Sequence, residues 1–127
     1  MSVATAAATT AGRLDVRAVS RLFKALADES RLRIVALLAH GELCVCHLEL
    51  ALGLSQPGAS RQLAVLRAGG VVERRRQGSW VYYRLARQDD ADRRRQLAAL
   101  VRAFARHDLL RADVERLVAA PGPRACR

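Results

Sequence analysis

Apolar residues in the first half of the chain recur every three or four positions, which is the spacing of amphipathic helices. Four helices are predicted, over residues 17–27, 31–40, 45–52 and 56–68. Polar residues at 28–30 can cap the second helix, and Ser55 is a good N-cap for the fourth, whose first turn tolerates Pro57. Glycine follows the second, third and fourth helices, at Gly41, Gly53 and Gly69.

In the second half, the apolar period changes from helical spacing to alternation. Residues 71–76 and 79–85 are therefore predicted to be two strands of a hairpin, which turns around residues 77–78. A last helix is expected over residues 91–110, with weaker helix continuing through Val118. The pattern as a whole predicts a mainly helical fold with one small β-hairpin.

One domain is expected, over residues 14–118. Residues 1–13 are rich in Ala and Thr and are expected to be a disordered tail, and residues 119–127 are expected to be a flexible one. No apolar run approaches the roughly 20 residues that a membrane span needs, and no signal-peptide pattern begins the chain. Three cysteines, an odd number, argue against a disulfide framework and favour a reduced, cytoplasmic setting.

The fourth predicted helix has one apolar face and one face of short or polar side chains. Ala59, Leu63 and Leu66 fall together on a helical wheel and are expected to pack inward, while Ser60 and Arg61 point outward. A helix that enters the major groove of DNA needs such side chains near its N-terminus, although an ordinary surface helix shares the pattern. The expected DNA contacts on this helix are Ser55, Gln56, Pro57, Ser60, Arg61 and Gln62.

The predicted hairpin carries a basic run beside its turn. A two-stranded wing of this kind can lie along the phosphate backbone or enter the minor groove. The aromatic residues of its second strand are expected to pack against neighbouring strands, with stacking on nucleic acid as the alternative. The expected DNA contacts on the wing are Arg74, Arg75, Arg76, Gln77 and Ser79.

The distribution of charge favours the same partner. The chain has 22 basic and 12 acidic residues, for a formal net charge of +10. Residues 55–87 hold seven Arg and a single acid, Glu73, and so contribute +6. A patch of one sign attracts a polyanion, and Arg suits bidentate contacts with phosphates and base edges. Double-stranded DNA is therefore the expected partner. The alternative interpretation of the charge is a basic face that contacts only solvent.

Cys44 and Cys46 form the strongest candidate for a binding site. Thiolates suit soft ions, which include As(III), Sb(III), Cu(I), Zn(II), Cd(II) and Pb(II). Two residues apart in a regular helix, these side chains would point about 200° apart, but they can approach if Cys44 lies at the helix cap. The third ligand stays open among Cys126, His47, a small thiol and water. The alternatives are two buried structural cysteines and an incidental thiol in the tail.

Three segments of the chain resemble the ArsR/SmtB family of winged-helix metalloregulatory repressors. They are LFKALADESRLRIVALL, ELCVCHLELALGLSQPGASRQLAVLRAGGVV and RRRQGSWVYYRL, within residues 22–85. The resemblance implies a winged helix-turn-helix with element order α-α-α-α-β-β-α and a homodimer built from the first and last helices. It also implies binding to a palindromic operator, which a metal or metalloid weakens.

Within this family, residues 42–46 look like the arsenic-responsive ELCVC box. The chain departs from the family pattern at three positions. His47 stands where an acidic residue is frequent, Glu49 stands where many members have a third Cys, and Gln62 stands where a His is common. Other members of the family bind metal at a second site on the last helix, but the ligand spacing of that site is absent from this chain. The polar residues there are expected to lie on the surface, and they are His107, Asp108, Asp113 and Glu115.

The sequence thus predicts a dimeric transcriptional repressor that releases its operator when arsenite or antimonite binds cysteine thiolates. A repressor of the same fold that responds to Zn(II), Cd(II), Pb(II) or thiol oxidation is the alternative. A small cysteine redox enzyme is a third hypothesis, but the Cys-Val-Cys motif has no βαβ context. The sequence shows no Ser/His/Asp set and no pair of catalytic carboxylates, so we expect that this protein is not an enzyme.

Overall fold

The computed structural model describes residues 13–119, in which seven elements of the expected kinds are joined by one further strand and one further helix. The expectations for residues 1–12 and 120–127, which include Cys126, lie outside the described residues. The helices are α1 (Val16–Leu26), α2 (Glu29–Leu38), α3 (Val45–Leu52), α4 (Gln56–Ala68), α5 (Ala91–Phe104) and α6 (Asp108–Ala119). The strands are β1 (Leu43–Cys44), β2 (Val72–Gln77) and β3 (Trp80–Leu85).

Short polar side chains begin most of the helices. Asp15 and Asp28 accept hydrogen bonds from the backbone nitrogens of residues three positions on, at 3.0 and 3.1 Å. Ser55 Oγ accepts from the Gly58 nitrogen at 3.1 Å, which confirms it as the N-cap of α4, and Asp90 caps α5 in the same way. Each cap satisfies one of the backbone donors that a helix N-terminus leaves without an intrahelical acceptor.

The sheet has three antiparallel strands in the order β1-β3-β2. The predicted hairpin is present as β2 and β3, and Gly78 supplies the positive φ of 62° at its turn. The short strand β1 was not expected: Leu43 pairs with Tyr83, and Cys44 pairs with Tyr82. This pairing brings the segment before α3 to the edge of the wing.

The prediction of one helix over residues 91–110 is wrong. Helix α5 ends at Phe104, a turn follows, and α6 begins at Asp108. The His107 ring caps the new helix, because its Nδ1 accepts from the Leu109 nitrogen at 3.2 Å. The break redirects the chain so that α6 packs on α2 and α3. Helical periodicity continues through α5 and α6, so it cannot predict where packing breaks the helix.

The apolar core lies between the first four helices and the base of the hairpin. Helix α2 is its centre: residues 34–38 are all buried, whereas Leu32 is only half-buried. Helical spacing alone predicts one buried stripe of Leu32, Val35 and Leu38 on this helix. The buried surface is wider than that stripe, because other helices pack on α2 from several sides. No helix within residues 13–119 is long and apolar enough to span a membrane.

Asp113 corrects the expectation that the polar residues of the last helix lie on the surface. Its side chain is 1% exposed and accepts hydrogen bonds from Arg33 at 2.7 and 2.9 Å and from Arg116. Arg116 also donates from Nε to the Ala51 carbonyl at 2.7 Å, at the end of α3. These contacts attach α6 to both α2 and α3.

Candidate nucleic-acid interface and cysteine site

Helix α4 presents the faces that the sequence predicts. Ala59, Leu63 and Leu66 are fully buried, while Ser60 and Arg61 are exposed. The exposed positions at and before the first turn are Ser55, Gln56 and Pro57. A short, polar surface with one arginine therefore surrounds the N-terminus of α4, as a helix that reads the major groove requires.

Gln62 has a different environment from the other predicted contacts on α4. It is half-buried, and its Oε1 accepts a hydrogen bond of 2.8 Å from Arg31 Nη1. Arg31 is itself held by the Ala25 carbonyl, which accepts from Nε at 2.6 Å. Gln62 therefore contacts the protein side of the helix, and its amide oxygen is occupied there.

The C-terminal end of α4 is fixed by arginines from two other helices. Arg21 donates to the Ala68 carbonyl at 2.9 Å, and Arg93 donates to the Gly69 carbonyl at 2.7 Å. Position 69 must be a glycine, because a Cβ there would lie 2.6 Å from the Ala25 Cβ. The direction of the proposed recognition helix is thus set by α1 and α5.

The wing carries its arginines on an open surface. Arg74, Arg75 and Arg76 are exposed, as are Gln77 and Ser79 beside the turn. A shallow cleft of about 180 Å³ lies between the wing and α4, and Arg67 of α4 lines it together with the three wing arginines. Arg67 was not among the predicted contacts, although the excess of basic residues within 55–87 includes it.

Arg75 is held more firmly than a solvated arginine would be. Its Nε and Nη2 donate to Glu42 in a bidentate pair, with distances of 2.5 to 2.9 Å, and its Nη1 donates to Gln77 at 2.7 Å. The guanidinium also lies over the Tyr82 ring, 4.8 Å from its centroid. Hydrogen bonds from Arg75 lower the pKa of the Glu42 carboxyl below its ordinary value, which favours the charged pair.

Cys44 meets the geometric condition for a two-cysteine site. It is the N-cap of α3, with φ −82° and ψ 160°, so its backbone is extended rather than helical. Cys46 lies in the first turn and is half-buried, whereas Cys44 is 2% exposed. Because only one of the two residues is helical, the opposed orientation of a regular helix does not apply to them.

His47 lies beside Cys44, with 3.1 Å between Nδ1 and Sγ. The one-turn spacing of the two residues accounts for this contact, since α3 starts between them. Sulfur and imidazole donors together suit borderline-soft ions such as Zn(II). Within residues 13–119, no group of three or more His, Cys, Asp and Glu side chains is close enough to hold a metal ion.

The cysteine site is directly connected to the proposed recognition helix. Helix α3 ends at Gly53, which takes a left-handed φ of 66°, and Ser55 already caps α4. Only residues 53–55 separate the two helices, and Gly53 is the position whose conformation an L side chain rarely adopts. This connection is therefore too short to absorb much of a displacement of α3 before it reaches α4.

The family model described as bacterial regulatory protein, arsR family, matches residues 28–74. The arsenical resistance operon repressor of Escherichia coli (strain K12) is 60% identical over 67 residues, which are 52% of this chain and 57% of that protein. The chain thus spans between half and three fifths of the length of this relative.

Solved structures extend the similarity over more of the chain. The homodimeric winged helix-turn-helix DNA-binding domain of a possible ArsR-family transcriptional regulator from Mycobacterium bovis is 37% identical. That match covers 76% of this chain and 91% of that one, with a TM-score of 0.60. Reduced HlyU from Vibrio cholerae N16961 is 33% identical, with 71% and 92% covered and a TM-score of 0.62.

Proposed function

Because the chain belongs to the ArsR family of bacterial regulators, we propose that it represses transcription as a homodimer on operator DNA and responds to arsenite or antimonite. The observation that carries this proposal is the position of Cys44 as the cap of α3, the helix directly before the recognition helix. The 60% identity to an arsenical resistance operon repressor supports the choice of ligand. The named relatives are regulators rather than enzymes.

DNA binding is assigned to α4 and the wing. Arg61 and Gln56 suit base edges in the major groove, while the wing arginines suit phosphates. Arg67 joins them, because it lines the cleft between α4 and the wing. The proposed contacts are Ser55, Gln56, Pro57, Ser60, Arg61, Arg67, Arg74, Arg76, Gln77 and Ser79. Gln62 and Arg75 are not included, because Arg31 and Glu42 already hold their side chains.

Homodimerisation is proposed through α1 and α5. Helix α1 and the residues just before it expose large apolar side chains: Leu14 is 55%, Val16 is 69% and Phe23 is 51% exposed. They line one shallow depression together with Val19 and other residues of α1. Exposed apolar surface of this extent on one helix is typical of a protein interface, and the related Mycobacterium bovis domain is described as homodimeric.

Ligand capture is assigned to Cys44 and Cys46. As(III) and Sb(III) are thiophilic, and each sulfur–arsenic bond replaces one hydroxyl of arsenous acid, which leaves as water with the thiol proton. Cys44 is buried, so its sulfur becomes accessible to an ion only if the first turn of α3 adapts. Capture therefore distorts the start of α3, and α4 leaves the orientation that fits DNA.

Cys126 is our candidate for the third ligand. Helix α6 packs on α3 through Arg116 and ends at Ala119, seven residues before Cys126. Seven residues of extended chain reach at most about 24 Å, which sets the distance that a ligating tail of the same or the partner protomer has to span. His47, a small thiol or water completes the shell if Cys126 is a bystander.

A repressor that senses Zn(II), Cd(II), Pb(II) or oxidation is the second candidate. The contact of 3.1 Å between Cys44 Sγ and His47 Nδ1 favours it, because a sulfur and nitrogen donor pair suits Zn(II) better than As(III). Under both proposed functions the protein acts in the cytoplasm, where thiols stay reduced.

Operator release separates these possibilities. We expect arsenite and antimonite to raise the operator Kd of the wild type, and Cys44→Ser or Cys46→Ser to abolish this response. Zn(II), Cd(II) and hydrogen peroxide are tested in parallel, and Cys126→Ser is the matched thiol variant outside α3. Loss of response in Cys126→Ser identifies the third ligand. Arsenite release of Cys44→Ser/Cys46→Ser at the wild-type level would refute the site.

A further inference from the structure

Three residues lie in one row across the sheet and join the cysteine site to the wing. Cys44 on β1 is paired with Tyr82 on β3, and Tyr82 is paired with Arg75 on β2. Directly opposed residues in an antiparallel sheet project from the same face. The Arg75 guanidinium accordingly lies over the Tyr82 ring. Cys44 is thus one strand away from a wing arginine.

Glu42 connects the two ends of this row. It precedes Cys44 by two residues and binds Arg75 through both carboxylate oxygens, at 2.5 to 2.9 Å. The pair is partly sheltered, with 24% of the Glu42 side chain and 44% of the Arg75 side chain exposed. A bidentate pair fixes orientation as well as distance, so movement of Glu42 also redirects the guanidinium.

Arg75 differs in this respect from its neighbours. Among residues 13–119, Arg74 and Arg76 form no ion pair, and both side chains are exposed. The contact with Glu42 spans 33 positions of the sequence and is the one side-chain ion pair between the wing and the segment before α3 in this part of the chain. It is therefore placed to transmit movement rather than to hold DNA.

We propose that Glu42 is a positioning residue that couples ligand capture at Cys44 to the wing, through its ion pair with Arg75 beside Tyr82. This inference rests on the proposed function. Adaptation of Cys44 to a ligand displaces the segment that carries Glu42, and the bidentate pair draws β2 with it. The wing then leaves the DNA backbone at the same time as α4 is displaced, so that release has two routes.

The test compares Glu42→Gln with Glu73→Gln in the full chain. Glu73 pairs with Arg84 on the same sheet at 2.6 Å, so the control removes one carboxylate and one ion pair away from Cys44. For each protein, the operator Kd is measured with and without saturating arsenite, and with Cd(II) as a second thiophilic probe. The ratio of the two Kd values is the coupling factor.

Trp80 provides a readout that a purely structural role of Glu42 would not change. It is the single Trp of the chain and the first residue of β3, beside the wing turn. In the wild type, we expect saturating arsenite to change its fluorescence because the wing moves. Direct titration of arsenite without DNA shows that the variants still bind the ligand.

We expect Glu42→Gln to bind arsenite, to lose the Trp80 response and to have a coupling factor at least threefold below that of Glu73→Gln. A coupling factor within threefold of the control, or an unchanged Trp80 response, would overturn the proposal while leaving the proposed function intact. If neither arsenite nor Cd(II) releases the wild type, the proposed function itself fails, and this inference fails with it.

Discussion

Asp113 is a charged residue whose side chain is almost completely removed from solvent. It lies between Arg33 and Arg116, and the hydrogen bonds that Arg33 donates to Asp113 raise the pKa of the Arg33 guanidinium above its ordinary value. A buried carboxylate contributes to stability only while its partners remain in place. At the scale of the residue, Asp113 therefore adds an ionic link between α6 and helices α2 and α3 to the apolar contacts of Val114 and Leu117.

We expect Asp113→Asn to lower the free energy of unfolding by about 3 kcal/mol, because the substitution leaves two arginines without their shared carboxylate. The value lies at the low end of the range for a broken buried pair, since both arginines keep contact with solvent. Urea unfolding measures the change. Asp108→Asn is the control: its side chain is 90% exposed, and its pair with Arg111 is worth less than about 1 kcal/mol. Equal losses in the two variants would contradict the role of Asp113.

At the scale of the element, α4 and the β2–β3 wing have different tasks. The exposed N-terminal surface of α4 holds the side chains that suit base edges, whereas the wing offers charge to phosphates. Arg75 and Arg84 are the exceptions on the wing, because they are already paired with Glu42 and Glu73. The sum of basic residues therefore overstates how many arginines the wing has available for DNA.

Arg61→Ala and Arg76→Ala should weaken DNA binding in different ways. We expect Arg61→Ala to relax base preference at one operator position, at a cost of about 1–3 kcal/mol, because a bidentate base contact is lost. Arg76→Ala should lower the slope of log K against log salt by about 1 and leave base preference unchanged. Binding to operator variants across a salt series measures both quantities.

The control for this pair is Arg106→Ala, in the exposed turn between α5 and α6. It removes the same charge without affecting α4 or the wing, so we expect the wild-type salt slope and base preference. A salt slope that falls equally in Arg76→Ala and Arg106→Ala would mean that net charge, rather than wing contacts, sets the affinity.

At the scale of the whole molecule, the exposed apolar surface of α1 is the proposed dimer interface. Phe23 is large and half exposed in the single chain, and Leu14 and Val16 continue the same surface. In a twofold symmetric dimer each substitution occurs twice, so a charge at this position is doubly unfavourable. The proposed operator-binding form depends on this interface, because a palindrome needs two recognition helices.

We expect Phe23→Glu to raise the dimer dissociation constant at least tenfold and to weaken operator binding in parallel. Sedimentation velocity over a concentration series measures the first effect. Val118→Glu is the matched control, because Val118 of α6 is 79% exposed and lies outside α1 and α5. A Phe23→Glu protein that remains as dimeric as the control would remove α1 from the proposed interface.

Local patterns were sufficient for most of the elements. Periodicity predicted the first four helices and the hairpin, and the side-chain chemistry of Ser55 predicted the cap of α4. The buried face of α4 was also predictable, because helical geometry determines which residues share a side. The same reasoning failed at residues 105–107, where packing of α6 on α2 and α3 interrupts an apolar pattern that has no local break.

In the candidate site, too, some features could be predicted from the sequence and others could not. The sequence by itself determined the family, the Cys-Val-Cys motif and the basic wing, because composition and short-range spacing carry that information. Only the tertiary structure decided that Glu42 binds Arg75, that β1 pairs with β3, and that Arg33 binds a buried Asp113. The two ion pairs join residues 33 and 80 positions apart, and nothing in a local pattern selects one distant carboxylate over another. Their selection depends on which backbone segments the core brings together, because bidentate pairing requires both groups to lie within hydrogen-bond distance.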